Sequence, residues 1–167
     1  MAATARQKDI EAASRKLGEA AVAAGLMLAT AESCTGGWVA KAITDVPGSS
    51  RWFDRGFVTY TNEAKQEMLG VQAGTLAEHG AVSEQTVREM ARGALERSRA
   101  GLTVAISGIA GPGGATPGKP VGMVCFAWAR EGGWLQAETE YFIGDREAVR
   151  MQAVAYALHG FLDALRD

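Results

Sequence analysis

Apolar residues recur at spacings of three and four between residues 5 and 25, through Ile10, Ala13, Leu17, Ala20 and Ala24. That spacing predicts a helix, which Gly25 ends. Residues 26–30 form a short apolar run without the helical period, the mark of a buried strand. Helical spacing returns over residues 35–46, through Trp38, Val39, Ala42, Ile43 and Val46, until Pro47-Gly48 stops it. Residues 57–61 are aromatic and β-branched, hence a strand. Residues 62–69 then read as a short helix closed by Gly70.

A further helix starts at Ser83, a good N-cap, with Val82 and Val87 at the spacing of a hydrophobic staple. Val87, Met90, Ala91, Ala94 and Leu95 give it a buried stripe. Residues 102–107 predict a strand, followed by a glycine-rich loop over residues 108–118. Residues 121–128 and 135–143 predict two strands joined as a hairpin across Glu131-Gly132-Gly133. Asp145 caps a last helix with the stripe Val149, Ala153, Tyr156, Ala157, Phe161 and Ala164. Helices alternating with strands, and a late hairpin, predict a layered α/β/α fold around a mixed sheet.

The chain has 167 residues, and the expectation is one domain over residues 1–167 with no linker or repeat. Its 47% apolar and 22% charged composition is that of a globular protein with a core of its own. Seventeen basic against nineteen acidic residues give a net charge of −2, which argues against a nucleic-acid binder. Nothing approaches the roughly 20 apolar residues of a membrane span, and the first ten residues lack the apolar core of a signal peptide. The expected location is therefore the cytoplasm. Cys34 and Cys125 have neither disulfide-scaffold nor zinc-site spacing. His79 and His159 are too isolated to suggest a metal or to anchor a Ser-His-Asp triad.

Candidate chemistry gathers at three junctions on strand ends, where open α/β sheets place their ligands. The first is Glu32-Ser33-Cys34-Thr35-Gly36-Gly37, between strand and helix. A hydroxyl on such a turn is exposed, with the following N–H groups aimed at what it attacks. The same residues also fit a plain N-cap by Thr35 or Ser33. The second is Tyr60-Thr61-Asn62-Glu63-Ala64-Lys65, with Lys65 one turn after Asn62. A desolvated lysine loses its proton near neutral pH and serves a serine as base, although most lysines are simply solvated.

The third is the run from Ser107 through Gly108 and Gly111 to Gly114, where glycines allow close backbone approach to an anion. Gly113 to Lys119 imitates a P-loop, but Pro120 stands where Ser or Thr is required and a strand follows. Arg146 and Arg150 share a face at the start of the last helix, where the helix dipole disfavours cations. That points to an anion such as a phosphate, with pairing to Asp145 or Glu147 as the plainer alternative.

With these junctions in view, the chain resembles the competence/damage-inducible CinA C-terminal domain family. The matching stretches are AESCTGG (31–37), GFVTYTNEAK (56–65), AVSEQTVREMA (81–91), AISGIAGPGG (105–114) and GDREAVR (144–150). The resemblance implies hydrolysis of the amide of nicotinamide mononucleotide to nicotinic acid mononucleotide and ammonia, in pyridine-nucleotide recycling. The substrate is thus a small molecule, and no cofactor or metal is implied. It also implies Ser33 as nucleophile, Lys65 as general base and Tyr60 as a supporting group. Thr35, Gly36, Gly37, Thr61, Asn62, Ser107, Gly108 and Gly111 fall in the matching motifs as expected pocket residues, with Arg146 or Arg150 on the phosphate.

Ser107 replaces the family's usual threonine and Thr61 its usual serine, each keeping the hydroxyl. Longer members carry an additional N-terminal domain, whose activity is not expected here. Two other readings share these residues: Cys34 as nucleophile at a helix N-terminus, and a non-catalytic nucleotide sensor in which Ser33 only caps. The long helices also offer surface for a homodimer.

Overall fold

A computed structural model describes residues 2–166. The elements run α1 (Ala2–Ala24), β1 (Leu28–Glu32), α2 (Trp38–Thr44), a 3₁₀ turn (Ser49–Arg51) and β2 (Phe53–Val58). They continue with α3 (Asn62–Leu69), α4 (Ala73–His79), α5 (Glu84–Glu96), β3 (Leu102–Gly108), β4 (Met123–Arg130), β5 (Leu135–Tyr141) and α6 (Arg146–Arg166). The five strands form one sheet in the order β2-β1-β3-β4-β5. β1 lies parallel to both β2 and β3, while β4 and β5 run antiparallel as the hairpin. The sheet is therefore mixed, and helices cover both faces.

Period-two alternation divides the core. Leu102, Val104 and Ile106 of β3, with Val124, Phe126 and Trp128 of β4, meet α1, α2 and α6. Ala31, Ala105, Cys125, Ala127 and Ala129 face the opposite layer of α3, α4 and α5. Alanines on that side let α5 lie close to the sheet. Gly93 brings α5 against the end of α3, where a Cβ would sit 2.0 Å from the Leu69 carbonyl oxygen. All five residues of β1 are buried because both its faces and both its edges are covered.

Several boundaries differ from the sequence expectation. β1 begins at Leu28 because the Leu26 N–H still donates to Ala21 O at the end of α1, and it extends through Glu32. β2 starts at Phe53, earlier than the aromatic run suggests, since an edge strand tolerates Asp54, Arg55 and Gly56. α2 starts only at Trp38, because residues 33–37 make a turn. α4 was not expected; it buries only Leu76 and so carries no stripe. Asp145 caps α6 as expected, accepting from the Ala148 N–H at 2.9 Å. Among the described residues no helix is long and apolar enough to cross a membrane.

Candidate active site

Glu32 sets the local geometry at the end of β1. Its side chain is fully buried, yet its carboxylate accepts three hydrogen bonds: from Thr35 Oγ1 at 2.6 Å, Val39 N at 2.9 Å and Ala40 N at 3.0 Å. The last two are orphan donors in the first turn of α2, which has no side-chain N-cap of its own. A carboxylate there also complements the positive end of the helix. Neither Ser33 nor Thr35 caps α2, so the N-cap reading of the turn is replaced by capping from Glu32. Gly36 and Gly37 close the turn with φ of 60° and 99°, conformations that only glycine adopts freely.

Ser33 leaves β1 on the α3–α5 side of the sheet, and β2 brings Lys65 to meet it from the first turn of α3. Lys65 Nζ donates to Ser33 Oγ at 2.9 Å and to the Thr59 carbonyl at 2.7 Å. The lysine is 1% exposed and has no carboxylate partner among the described residues. Burial without a counter-charge disfavours the ammonium and lowers its pKa from 10.5 to about 8. A primary amine whose pKa lies close to physiological pH, held against a serine hydroxyl, can give up its proton there and serve that serine as a base.

A cleft of about 290 Å³ opens beside this pair, walled by Ser33, Cys34, Tyr60 and Lys65 on one side. The glycine-rich loop after β3 supplies the other wall through Ser107, Gly108 and Gly111, with Arg146 at the rim. Gly108 and Gly111 are required sterically. Cβ atoms there would lie 2.7 Å from Val124 Cγ2 and 2.5 Å from Val121 Cγ1. Ser107 is 1% exposed and its hydroxyl has no protein partner. Arg146 spans the cleft mouth, donating to Gly111 O at 2.8 Å and to Tyr60 Oη at 2.9 Å. The loop is also tied down by Lys119, whose ammonium donates to the His79 carbonyl at the end of α4.

The structure thus brings Ser33, Tyr60, Lys65, Ser107, Gly108, Gly111 and Arg146 to one cleft. It does not bring Thr35, Gly36, Gly37, Thr61, Asn62 or Arg150 to its walls. Thr35 is fully buried on Glu32, and the Gly36 N–H donates to Ser33 O at 3.0 Å. Thr61 is the N-cap of α3, accepting from Ala64 N at 3.1 Å, and Asn62 opens that helix with its side chain outside the cleft walls. Arg150 turns to main-chain carbonyls of the Ser33 turn. The walls also include Ile109 and Ala110 of the glycine-rich run and Ala81 and Val82 before α5, which lie in the motifs but, being apolar, carry no chemical signal that marks them as site residues. Among the described residues no group of three or more His, Cys, Asp or Glu side chains converges as a metal site.

Cys34 also reaches the cleft, but burial, and then the neighbouring Glu32 carboxylate, push its thiol up to about 12. A thiol that stays protonated is a poor nucleophile. Iodoacetamide at pH 7.5 is therefore expected to leave Cys34 unmodified in the folded protein, and Cys34→Ala to keep activity within a fewfold of the native chain. Rapid alkylation with parallel loss of turnover would return the nucleophile to Cys34.

Residues 10–165 match the family model for the CinA C-terminal domain. A nicotinamide-nucleotide amidohydrolase PncC from Escherichia coli K12 is 61% identical over 145 residues, 87% of this chain and 88% of that protein. A CinA-like protein from Akkermansia muciniphila is 57% identical over 141 residues, 84% of this chain but 34% of that longer protein. Among solved structures, the competence/damage inducible protein CihA from Agrobacterium tumefaciens superposes with a TM-score of 0.91 at 49% identity. That likeness covers 95% of this chain and 96% of the other.

Proposed function

The chain belongs to the CinA C-terminal domain family, and from that premise we propose that it hydrolyses the carboxamide of nicotinamide mononucleotide to nicotinic acid mononucleotide and ammonia. The name of the Escherichia coli relative supports the substrate class. The observation that carries the chemistry is the 2.9 Å contact between Lys65 Nζ and Ser33 Oγ at a buried lysine. The reaction belongs to pyridine-nucleotide recycling in the cytoplasm, carried out by residues 1–167 as one domain.

Neutral Lys65 takes the proton of Ser33 as Oγ attacks the carboxamide carbon. The Thr59 carbonyl holds the resulting ammonium in place. The tetrahedral oxyanion takes hydrogen bonds from amides of the turn. Of the residues after Ser33 in the turn, Cys34 is the one on the cleft wall, and its amide is the donor offered to the oxyanion. One such donor contributes about 3 kcal/mol in comparable sites. Lys65 then returns its proton to the departing nitrogen, ammonia leaves, and an acyl ester remains on Ser33. Water attacks that ester with Lys65 again as base, freeing the acid and restoring the hydroxyl. The unpartnered Ser107 hydroxyl is offered to the carboxamide, and Arg146 with the glycine loop to the 5′-phosphate.

The test is ammonia release from nicotinamide mononucleotide by the purified protein, with the acid product identified. Binding without ammonia release would replace the hydrolase with a nucleotide sensor. The lysine also sets the pH profile: because it must be neutral to act, kcat/KM is expected to rise about tenfold per pH unit below about 8 and level off above. Stability follows the same group. Between about 8 and about 10.4 the unfolded chain holds a proton that the folded chain has released, so stability rises with pH across that window. A flat rate profile from pH 6 to 9 would remove Lys65 as the base.

A further inference from the structure

Arg150 holds an unusual set of partners. Its Nε donates to the Cys34 carbonyl at 3.0 Å and its Nη2 to the Thr35 carbonyl at 3.4 Å. The guanidinium lies over the Trp38 ring, 5.7 Å from its centroid, within cation–π reach. It forms no ion pair with a carboxylate among the described residues, and it does not line the cleft. A half-buried arginine is thus devoted to two main-chain oxygens of the turn that carries Ser33. It reaches them from α6, on the face of the sheet opposite Lys65. Gly36 has the same neighbour: a Cβ there would lie 3.3 Å from Arg150 Nη2.

From this geometry we infer that Arg150 is a positioning residue for the reaction, acting through the Cys34 and Thr35 carbonyls and not through the substrate phosphate. Glu32 anchors the turn at Thr35 and at the start of α2, while Arg150 fixes the two carbonyls in between. Holding the Cys34 carbonyl sets the backbone of the residue directly after the nucleophile. The Cys34 amide lies on the other side of that residue's Cα, in the peptide whose Ser33 carbonyl accepts from the Gly36 N–H. Holding the second peptide therefore restrains the rotation about this Cα that would tilt the donor and shift Ser33. Charge-assisted hydrogen bonds to carbonyl oxygens suit this purpose because they are directional and do not neutralise the guanidinium.

The inference rests on serine hydrolysis as proposed above, and the experiment separates the two. Arg150→Ala and Arg150→Lys are compared with the native protein on nicotinamide mononucleotide and on its riboside, which lacks the phosphate. The rate at which a fluorophosphonate labels Ser33 is measured in parallel, since that step needs the nucleophile turn but not the substrate. Thermal unfolding establishes that each variant is folded; if Arg150→Ala is not, Arg150→Lys carries the comparison.

The expected result is a fall in kcat of about tenfold to a hundredfold for Arg150→Ala on both substrates, below the loss for a deleted oxyanion donor. KM stays nearly constant, labelling slows by a similar factor, and Arg150→Lys recovers part of each loss. A rise in KM confined to the mononucleotide, with riboside turnover and labelling unchanged, would overturn the inference and make Arg150 a phosphate ligand. Unchanged kinetics throughout would overturn it equally. If the native protein labels at Ser33 but releases no ammonia, the proposed substrate fails, while the labelling rates still decide the role of Arg150.

Discussion

Ser33→Ala is expected to lower kcat for ammonia release by at least about 10⁴-fold while leaving the fold and KM nearly unchanged. The side chain is small, and its hydroxyl accepts a hydrogen bond from Lys65. Removing Oγ therefore deletes the proposed nucleophile with little disturbance of packing. Lys65→Met is expected to lower kcat by about 10²- to 10⁴-fold, the range of a lost general base. The two groups act as a unit, so the double variant should be no slower than the worse single variant. Steady-state ammonia release, with circular dichroism on each variant, measures all three. Turnover surviving in Ser33→Ala would mean that the nucleophile lies elsewhere in the cleft, and additive losses would mean that serine and lysine act in separate steps.

Glu32→Ala is expected to destabilise the protein by about 3–5 kcal/mol, a large part of the total stability of a domain of this size. The carboxylate satisfies the amides of Val39 and Ala40 and the buried hydroxyl of Thr35 at once. Alanine would strand all three, and an unsatisfied buried donor costs about 1–3 kcal/mol. Glu32→Gln keeps the volume but offers a single acceptor oxygen, so it should fall between alanine and the native residue. Urea unfolding gives the order directly. The same variants should lose turnover even where folded, because the turn bearing Ser33 is held by the oxygens they remove. Equal stability of Glu32→Ala and native protein would show that water replaces the carboxylate at the head of α2.

The order of elements was largely legible, because apolar periods of 3.6 and 2 survive wherever an element has one covered face. They fail at α4, which buries one side chain, and at the start of β2, an edge strand with polar residues. The cleft was partly legible. Ser33 and Lys65 stand 32 positions apart, and no spacing rule joins them; the pairing of β1 with β2 does. The resemblance pointed to both residues, but the burial that lowers the lysine's pKa is a property of packing. Thr35, Gly36 and Gly37 carry a strong motif for a different reason than expected: they close a turn and meet Glu32 and Arg150. For Arg150 the sequence offers two partners, an anion or the carboxylates of Asp145 and Glu147. The side chain sits instead on carbonyl oxygens, which offer partial negative charge without a phosphate.

As the proposed base, buried Lys65, with no carboxylate partner among the described residues, places heat tolerance and turnover in opposition at one position. Charging it in the folded state at pH 7 costs about 3 kcal/mol relative to an unfolded lysine. A library of this protein selected only for surviving heat would accumulate apolar residues at position 65 and yield robust, inert variants. A library selected for turnover would keep the lysine and recover the lost stability at sites remote from the cleft.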